Sequence, residues 1–428
     1  MKTKTLDRKK APAIVDAVHF NLQLKPYTRF VLKNGVEVYT INAGAEEVLA
    51  IEWIFFAGNS YEEKNLVAAS ANFLLKNGTT SKTAFQINEH FDYYGSYLNR
   101  SCYNETATIS LHSLNKHVGE LLPAVRELVT DSTLPEEELD IYKQNMKQRL
   151  KVNLKKSDFV AGRLIDAYLF GEDHPYGKYS RAEDFDQLQR DTLVNFYKKY
   201  YQQGKMIIFA AGRLPANLEE LLNQNFGDLP NNQVKDIIHA VKPAAEKNYR
   251  VVNDEKSMQG SIRLARPFPN RHHPDFLKVQ VLNNVFGGFF GSRLMLNIRE
   301  DKGYTYGIHS YLQSHVHDSA WLISTEAGKE VLDATIAEVL KEMKRLREEP
   351  VDEEELLLVQ NYMMGGTLGE LDGPFQIIAR WKNIILNNLD EQYFYNSINT
   401  VKSVTAAELQ ELAQKYLKEE DFYNLVVI

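Results

Sequence analysis

The chain has 428 residues, of which 44% are hydrophobic and 25% charged, and its formal net charge is −7. This length exceeds the size at which one hydrophobic core usually keeps growing, so at least two domains are expected. The ordinary composition excludes a disordered chain, and the acidic balance gives no reason to expect a nucleic-acid partner. A single cysteine, Cys102, excludes an internal disulfide framework and fits a reducing compartment.

The N-terminus and the hydropathy pattern bear on localisation. The first twenty residues are basic but lack an apolar run of signal-peptide length. No stretch of the sequence approaches the length and apolarity of a membrane span. We therefore expect a cytoplasmic protein without a membrane partner.

The first half of the chain is predicted as strands followed by helices, with Asn34-Gly35 as a strong hairpin signal between its first two strands. Strands are predicted, in order, at 29–32, 36–41, 49–56, as a pair within 96–113, and at 206–211. Helices are predicted at 66–77, 85–94, 118–131, 135–152 and 191–201.

A linker and a repeat divide the chain into two halves. Residues 228–247 contain two prolines and two adjacent asparagines, which is typical of a linker. After it the first-half pattern recurs, and the related stretches LPEEELDIYKQNM and PVDEEELLLVQNYM place Leu139 and Leu356 217 residues apart. We interpret this as two copies of one α+β unit, domains 1–227 and 248–428. A doubly wound domain is disfavoured, because no glycine-rich phosphate loop follows a strand.

The most informative stretch is Gly287–Ser310, GGFFGSRLMLNIREDKGYTYGIHS. Its glycine pair is predicted to end a helix in the left-handed conformation, and Ser292 is predicted to cap a short second helix. Residues 304–312 then alternate like a strand. Arg299 would lie in the last turn of this helix, where the helix dipole stabilises a cation. Tyr306 would lie on the strand. By chemistry alone both are ordinary structural positions.

This stretch resembles the C-terminal-half signature of the pitrilysin/insulinase metallopeptidases, the inverzincins, in the branch of the processing peptidases. Those proteins carry a glycine-rich turn, then SRL, then LREKxGLxY. The matching residues here are Gly287-Gly288, Ser292-Arg293-Leu294, and Ile298-Arg299-Glu300 through Gly303 to Tyr306. NGVEVYTIN, GTTSKT and HPYGKYSRAEDF extend the resemblance over nearly the whole chain. It implies two tandem homologous α/β-sandwich halves that form half of a clamshell, with substrate-binding positions at Gly287, Gly288 and Ser292.

The resemblance also shows where a zinc site is missing. Active inverzincins carry H-x-x-E-H on a helix, with two histidines for zinc and a glutamate that polarises the attacking water. Counting back from the turn at Gly78 places this motif on 69–73, where Ala69, Asn72 and Phe73 replace all three residues. The distant glutamate ligand should fall within 147–151, which contains no glutamate. The sequence predicts no metal site and no cofactor in this chain.

Other histidines form weaker metal patterns. Residues 86–90 resemble the zinc motif with its first histidine replaced by glutamine, but they follow the turn at Gly78 and fall in the wrong helix. His315 and His317 share a predicted strand face without a third ligand at a defined spacing. A solvated strand face is the favoured interpretation of this pair.

The combination of residues kept and lost predicts the function. In the family, the C-terminal half closes over a zinc-bearing N-terminal half, the arginine holds a substrate backbone oxygen, and the tyrosine donates to the developing oxyanion. A chain that keeps both, as Arg299 and Tyr306, but lacks the zinc ligands resembles the non-zinc subunit of a heterodimeric peptidase. Such a chain would be inactive alone and would act on peptides or unfolded segments with a homologous zinc-bearing partner.

Two other interpretations stay open. The chain can instead be a catalytically inert structural or peptide-binding subunit, although such a subunit has no use for Arg299 and Tyr306. An autonomous peptidase with an unrecognised metal site is the least favoured. The partner's identity, and whether the chain forms a homodimer in isolation, are open at this stage.

Overall fold

A computed structural model describes residues 15–428, so most of the basic N-terminal segment lies outside the described residues. The strands of this part of the chain are β1 (Thr28–Val31), β2 (Glu37–Asn42), β3 (Val48–Phe55), β4 (Tyr97–Cys102), β5 (Ala107–Leu114), β6 (Met206–Gly212), β7 (Asn248–Val251), β8 (Gln259–Phe268), β9 (Ile308–Ser314), β10 (Ser319–Gly328) and β11 (Tyr423–Val427). The α-helices are α1 (Val67–Leu74), α2 (Ala84–Tyr93), α3 (Val118–Thr130), α4 (Glu136–Asn153), α5 (Ser157–Phe170), α6 (Ala182–Asp186), α7 (Arg190–Tyr197), α8 (Leu218–Phe226), α9 (Phe276–Asn283), α10 (Leu332–Glu348), α11 (Glu353–Gly369), α12 (Pro374–Leu386), α13 (Glu391–Ser403) and α14 (Ala406–Tyr416).

The strands form two sheets that repeat one topology. The strand order is β1-β2-β6-β3-β5-β4 in the first sheet and β7-β11-β8-β10-β9 in the second. In each sheet the last strand of the half runs parallel to an early one, β6 to β2 and β11 to β7, while the other pairs are antiparallel. β1 and β2 join in the predicted hairpin, whose Gly35 has φ +86°. The predicted duplication of an α+β unit is confirmed.

Helices α4 and α11 occupy equivalent places in the two halves. Their first residues, Glu136 and Glu353, are again 217 positions apart. Each helix opens with three consecutive glutamates, which stabilise the positive N-terminal end of a helix. The sequence repeat therefore corresponds to a structural repeat.

Each sheet is covered on one face by a helix from the other half. Helix α5 of the first half packs on β8 and β11, where Ile165 and Phe170 join Leu322 and Leu425 in one buried cluster. Helix α12 of the second half packs on β2 and β6 of the first sheet. There Trp381 packs edge-on against Tyr27, and its indole N–H donates to the Lys25 carbonyl at 2.8 Å. The two halves thus exchange one helix each.

The connection between the halves has neither helix nor strand from the end of α8 to the start of β7. It runs beside the C-terminal end of α5, where the Lys242 N–H donates to the Phe170 carbonyl at 3.0 Å and the Ala244 N–H to the Tyr168 carbonyl at 2.8 Å. The domain boundaries at 227 and 248 stay a prediction. Within residues 15–428, no helix has the length and apolarity needed to cross a membrane.

Candidate functional site

The glycine pair ends its helix differently from the prediction. Helix α9 continues into a π-helical turn, Asn284–Gly288, in which Gly287 has φ −158°. Neither Gly287 nor Gly288 has a positive φ, so the predicted left-handed cap is wrong. Glycine is needed for space instead, because a Cβ at Gly287 would lie 2.7 Å from the Cβ of Ser310 on β9. The turn is therefore pressed directly against the second sheet.

Ser292 directly precedes the next helix and is buried. The helix starts at Arg293 and is π-helical over Met295–Asp301, and the Ser292 carbonyl accepts the Leu296 N–H at 3.0 Å. The serine side chain is 1% exposed, and its hydroxyl has no hydrogen-bond partner among the described residues, so the predicted side-chain cap is absent. The substrate-binding roles of Gly287, Gly288 and Ser292 stay predictions.

Two polar anchors fix this helix to its neighbours. Arg293 forms a two-pronged ion pair with Glu355 on α11, with both N–O distances at 2.8 Å. The Asn297 amide donates to Glu338 and Glu342 on α10 at 2.9 and 2.7 Å. Charge-assisted, paired contacts of this kind hold an element in one orientation.

Arg299 lies near the end of the π-helical segment with its guanidinium at the surface. Its side chain is 37% exposed, lies over the ring of Phe290 at 4.7 Å, and pairs with the adjacent Glu300 at 3.3 Å. The Gly303 N–H donates to the Arg299 carbonyl at 3.1 Å, and Gly303 has φ +65°, so it ends the helix as predicted. The donor fork of Arg299 is thus oriented by an aromatic ring and has no buried carboxylate as a partner.

Tyr306 lies on a turn and not on the strand, because β9 begins only at Ile308. The Gly307 N–H donates to the Thr305 hydroxyl at 3.1 Å, and this hydroxyl donates to the Glu326 carbonyl on β10 at 2.7 Å. These bonds bend the chain at Tyr306 and delay the strand. Tyr306 is 90% exposed, and its hydroxyl makes no hydrogen bond within residues 15–428. A free phenol therefore projects from a backbone that is held in place.

The three positions of the lost zinc motif lie on α1 and are used for packing. Ala69 is half-buried and has no donor atom. Asn72 is 2% exposed, and its amide donates to the fully buried Tyr201 hydroxyl at 3.0 Å. Phe73 is 40% exposed and packs on the ring of Tyr142 from α4 at 4.8 Å. These side chains do not fit a zinc ion.

A guanidinium completes this cluster. Arg100 on β4 lies over the Phe73 ring at 5.1 Å and donates to the Phe73 carbonyl, and burial lowers the pKa of Arg100 to about 10. A cation in this place repels a second cation. Residues 147–151 of α4, where the distant ligand was expected, contain lysine, arginine, glutamine and leucine but no carboxylate. No local pattern in the sequence predicts the Arg100 contact, because Arg100 is 27 residues from Phe73.

His90 and His315, from the two weaker metal patterns of the sequence, also contact neighbouring groups in the structure. His90 lies 3.3 Å from the Glu120 carbonyl. The solvated face predicted for His315 is wrong, because β9 ends at Ser314 and the His315 ring stacks on Tyr176 of the first half at 4.1 Å. Burial lowers the pKa of His315 to about 4. Within residues 15–428, no three or more His, Cys, Asp or Glu side chains are arranged to hold a metal ion.

Comparison with known proteins gives one family. Residues 187–363 match the family model described as the Peptidase M16 inactive domain. A Bacillus subtilis protein described as the uncharacterised zinc protease YmxG is 25% identical over 413 residues, which cover 94% of this chain and 97% of the relative. A Helicobacter pylori relative described as the non-peptidase homolog YmxG is 23% identical, with 88% of each chain covered. The crystal structure of a peptidase M16 inactive domain from Pseudomonas fluorescens superimposes with a TM-score of 0.85 at 22% identity, covering 94% of this chain and 98% of that one.

These similarities agree with the resemblance inferred from the motifs. Residues 187–363 resemble the M16 inactive domain, and the relatives and the solved structure are similar over most of the chain. The match to an inactive domain fits a chain without zinc of its own. The two relatives are described differently, one as a zinc protease and the other as a non-peptidase homologue.

Proposed function

For a chain of the M16 type with this geometry, we propose that it is the non-zinc subunit of a heterodimeric peptidase. It supplies Arg299 and Tyr306 to a zinc site on a homologous partner that has the H-x-x-E-H motif. The substrate is a peptide or an unfolded segment. A cytoplasmic location is part of the proposal and rests on the single cysteine, Cys102, which fits a reducing compartment.

The observation that carries the proposal is the exposed, unbonded hydroxyl of Tyr306 on a fixed turn. An exposed tyrosine side chain without contacts adds little to stability, so packing does not account for its position. Arg299 lies on the segment just before this turn, and its side chain is 37% exposed. Both are donors: the Tyr306 hydroxyl has no acceptor within residues 15–428, and Arg299 pairs only with the half-exposed Glu300.

The chemistry assigned to these residues follows from their donor geometry. The Arg299 guanidinium presents several N–H groups in a rigid plane, which suits a peptide carbonyl oxygen and positions the substrate backbone. The Tyr306 hydroxyl donates a hydrogen bond to the carbonyl oxygen as negative charge develops on it. The partner's zinc, when bound, would supply an activated water.

One observation favours the inert alternative, a structural or peptide-binding subunit. The Helicobacter pylori relative, similar over 88% of this chain, is described as a non-peptidase homologue. Under this alternative Tyr306 would contact a partner or a bound peptide without any effect on turnover.

The first experiment tests the assembly. The isolated chain should contain no stoichiometric zinc by metal analysis and should cleave no peptide. After co-expression with a homologue that carries H-x-x-E-H, the two chains should elute as a 1:1 complex that cleaves peptides. Near-stoichiometric zinc together with activity in the isolated chain would refute the proposal.

The second experiment tests the role of the hydroxyl in that complex. Tyr306→Phe should lower kcat by roughly 10- to 1000-fold, because one preorganised donor to the oxyanion is lost. KM and zinc content should change little, since the hydroxyl acts mainly in the transition state.

The matched control is Tyr93→Phe, which removes an equally free hydroxyl from a residue of α2 that is 82% exposed. This variant should keep the parent turnover. Unchanged turnover in Tyr306→Phe would favour the inert alternative.

A further inference from the structure

A polar pocket of about 410 Å³ lies in the second half, away from the signature stretch 287–310. It is bounded by the loop after β8, by α9, and by helices α12 and α13. The side chains that face it include two arginines, two glutamines and two hydroxyl groups. They are Arg271, Arg380, Gln280, Gln376, Tyr393 and Ser397.

The first arginine, Arg271, has only neutral partners. Its Nε donates to the Ser314 hydroxyl at 3.1 Å, and one Nη donates to the Asn383 amide oxygen. No carboxylate pairs with it within the described residues. Burial lowers the pKa of Arg271, and the positive charge of Arg380 lowers it further. Arg271 is therefore a partly buried cation without a carboxylate partner among the described residues.

The second arginine, Arg380, is compensated only in part. One Nη pairs with Glu370, whose side chain is 58% exposed, while its buried Nε has no partner among residues 15–428. The pocket thus holds two guanidinium groups against one carboxylate. Holding two like charges close together is unfavourable unless an anion lies between them.

Two hydroxyl groups add further donors. Tyr393 and Ser397 follow one another by four residues on α13, so they lie on the same face of the helix. Neither side-chain hydroxyl makes a hydrogen bond within the described residues. Burial raises the pKa of Tyr393, so its hydroxyl stays protonated and able to donate.

We propose that this pocket binds the phosphate group of a phosphate monoester. Arginine forks match phosphate oxygens in pairs, and a tetrahedral phosphate has three terminal oxygens for the guanidinium and hydroxyl donors. A planar carboxylate has only two oxygens and leaves some of these donors unused. Arg271 and Asn383 also line a larger cavity, about 890 Å³, between the halves, which gives room for the organic part of the ligand.

The test is calorimetric titration of the intact chain with inorganic phosphate, at ionic strength held constant with sodium chloride. Saturable 1:1 binding is expected, and Arg271→Gln should weaken it by about tenfold or more, because charge-assisted hydrogen bonds are lost. Arg271→Lys keeps the positive charge but loses the planar fork of donors, so its affinity for phosphate should fall between those of the parent and Arg271→Gln. Arg29→Gln, which changes an exposed arginine of β1 outside the pocket, should bind as the parent does.

A melting curve of each variant, with and without phosphate, separates loss of binding from loss of fold. Phosphate should raise the melting temperature of the parent and of Arg29→Gln, but much less that of folded Arg271→Gln. If Arg271→Gln does not fold, the weakened binding of Arg271→Lys carries the test. Absence of saturable binding, equal binding by the parent and the Arg271 variants, or equally tight binding of acetate would overturn the proposal.

Discussion

The two regions that the sequence resemblance relates to a zinc peptidase site have opposite character in this chain. On α1 two of the motif positions have partners within the chain: Asn72 donates a hydrogen bond to Tyr201, and one side of the Phe73 ring packs against Tyr142 and Arg100. On the turn before β9, Tyr306 is exposed and unbonded while the backbone around it is fixed. Side chains at the degenerate motif positions contact neighbours within the chain, whereas the Tyr306 hydroxyl contributes nothing to packing and is open to an acceptor from outside it.

The largest effect is expected at the open region. Arg299→Ala should lower kcat/KM of the reconstituted complex by about 100-fold, about 2.7 kcal/mol of transition-state stabilisation, because the substrate is no longer positioned. Steady-state kinetics should show a raised KM together with a lowered kcat. Arg299→Lys should recover only part of this loss, since an ammonium group lacks the planar fork.

An exposed arginine elsewhere serves as the control for Arg299. Arg29 on β1 has a side chain that is 47% exposed and pairs with Glu37. Arg29→Ala should leave kcat/KM unchanged. Equal losses of kcat/KM in both variants would mean that Arg299 acts only through the net charge of the protein and does not contact the substrate.

Substitutions in the α1 region should change the stability of the fold and not the turnover of the complex. Asn72→Ala removes the donor to the buried Tyr201 hydroxyl and should lower the free energy of unfolding by about 1–3 kcal/mol. Denaturant unfolding measures this change. In a Tyr201→Phe background the same substitution should cost less, because no buried hydroxyl is left unpaired.

A smaller loss of stability is expected at the neighbouring ring. Phe73→Ala removes the contacts with Tyr142 and Arg100 and should cost about 1–2 kcal/mol. Phe85→Ala, on a residue of α2 that is 73% exposed, should cost little in the same unfolding experiment. Similar values for the two phenylalanines would show that the α1 cluster is not a packed unit.

The smallest effect should come from deleting the whole Tyr306 side chain. Tyr306→Ala should change the free energy of unfolding by less than about 0.5 kcal/mol, because the residue is 90% exposed. A thermal melt of the isolated chain is sufficient to measure it. A loss of unfolding free energy comparable to that of Asn72→Ala would show that Tyr306 stabilises the fold, and the contrast between the two regions would disappear.

Much of the fold was predictable because it follows from local patterns. The hairpin at Gly35, the acidic starts of α4 and α11, and the 217-residue repeat are all visible in the sequence and present in the structure. The absence of zinc ligands at Ala69, Asn72 and Phe73 is likewise a matter of residue identity.

The rest depends on contacts between distant parts of the chain. The π-helical segment at Arg299 has a period that 3.6-residue patterns do not reveal, and the turn at Tyr306 depends on the Thr305 bond to β10. His315 is buried because Tyr176 of the other half covers it. Alternation along the strand carries no information about such a neighbour.

The exchange of α5 and α12 has a consequence for how the two halves depend on each other. A single half would leave one face of its sheet exposed to solvent, and its exchanged helix would have no sheet to pack on. The two halves complete each other, as the subunits of a domain-swapped homodimer do. Because both belong to one chain, this exchange does not depend on protein concentration.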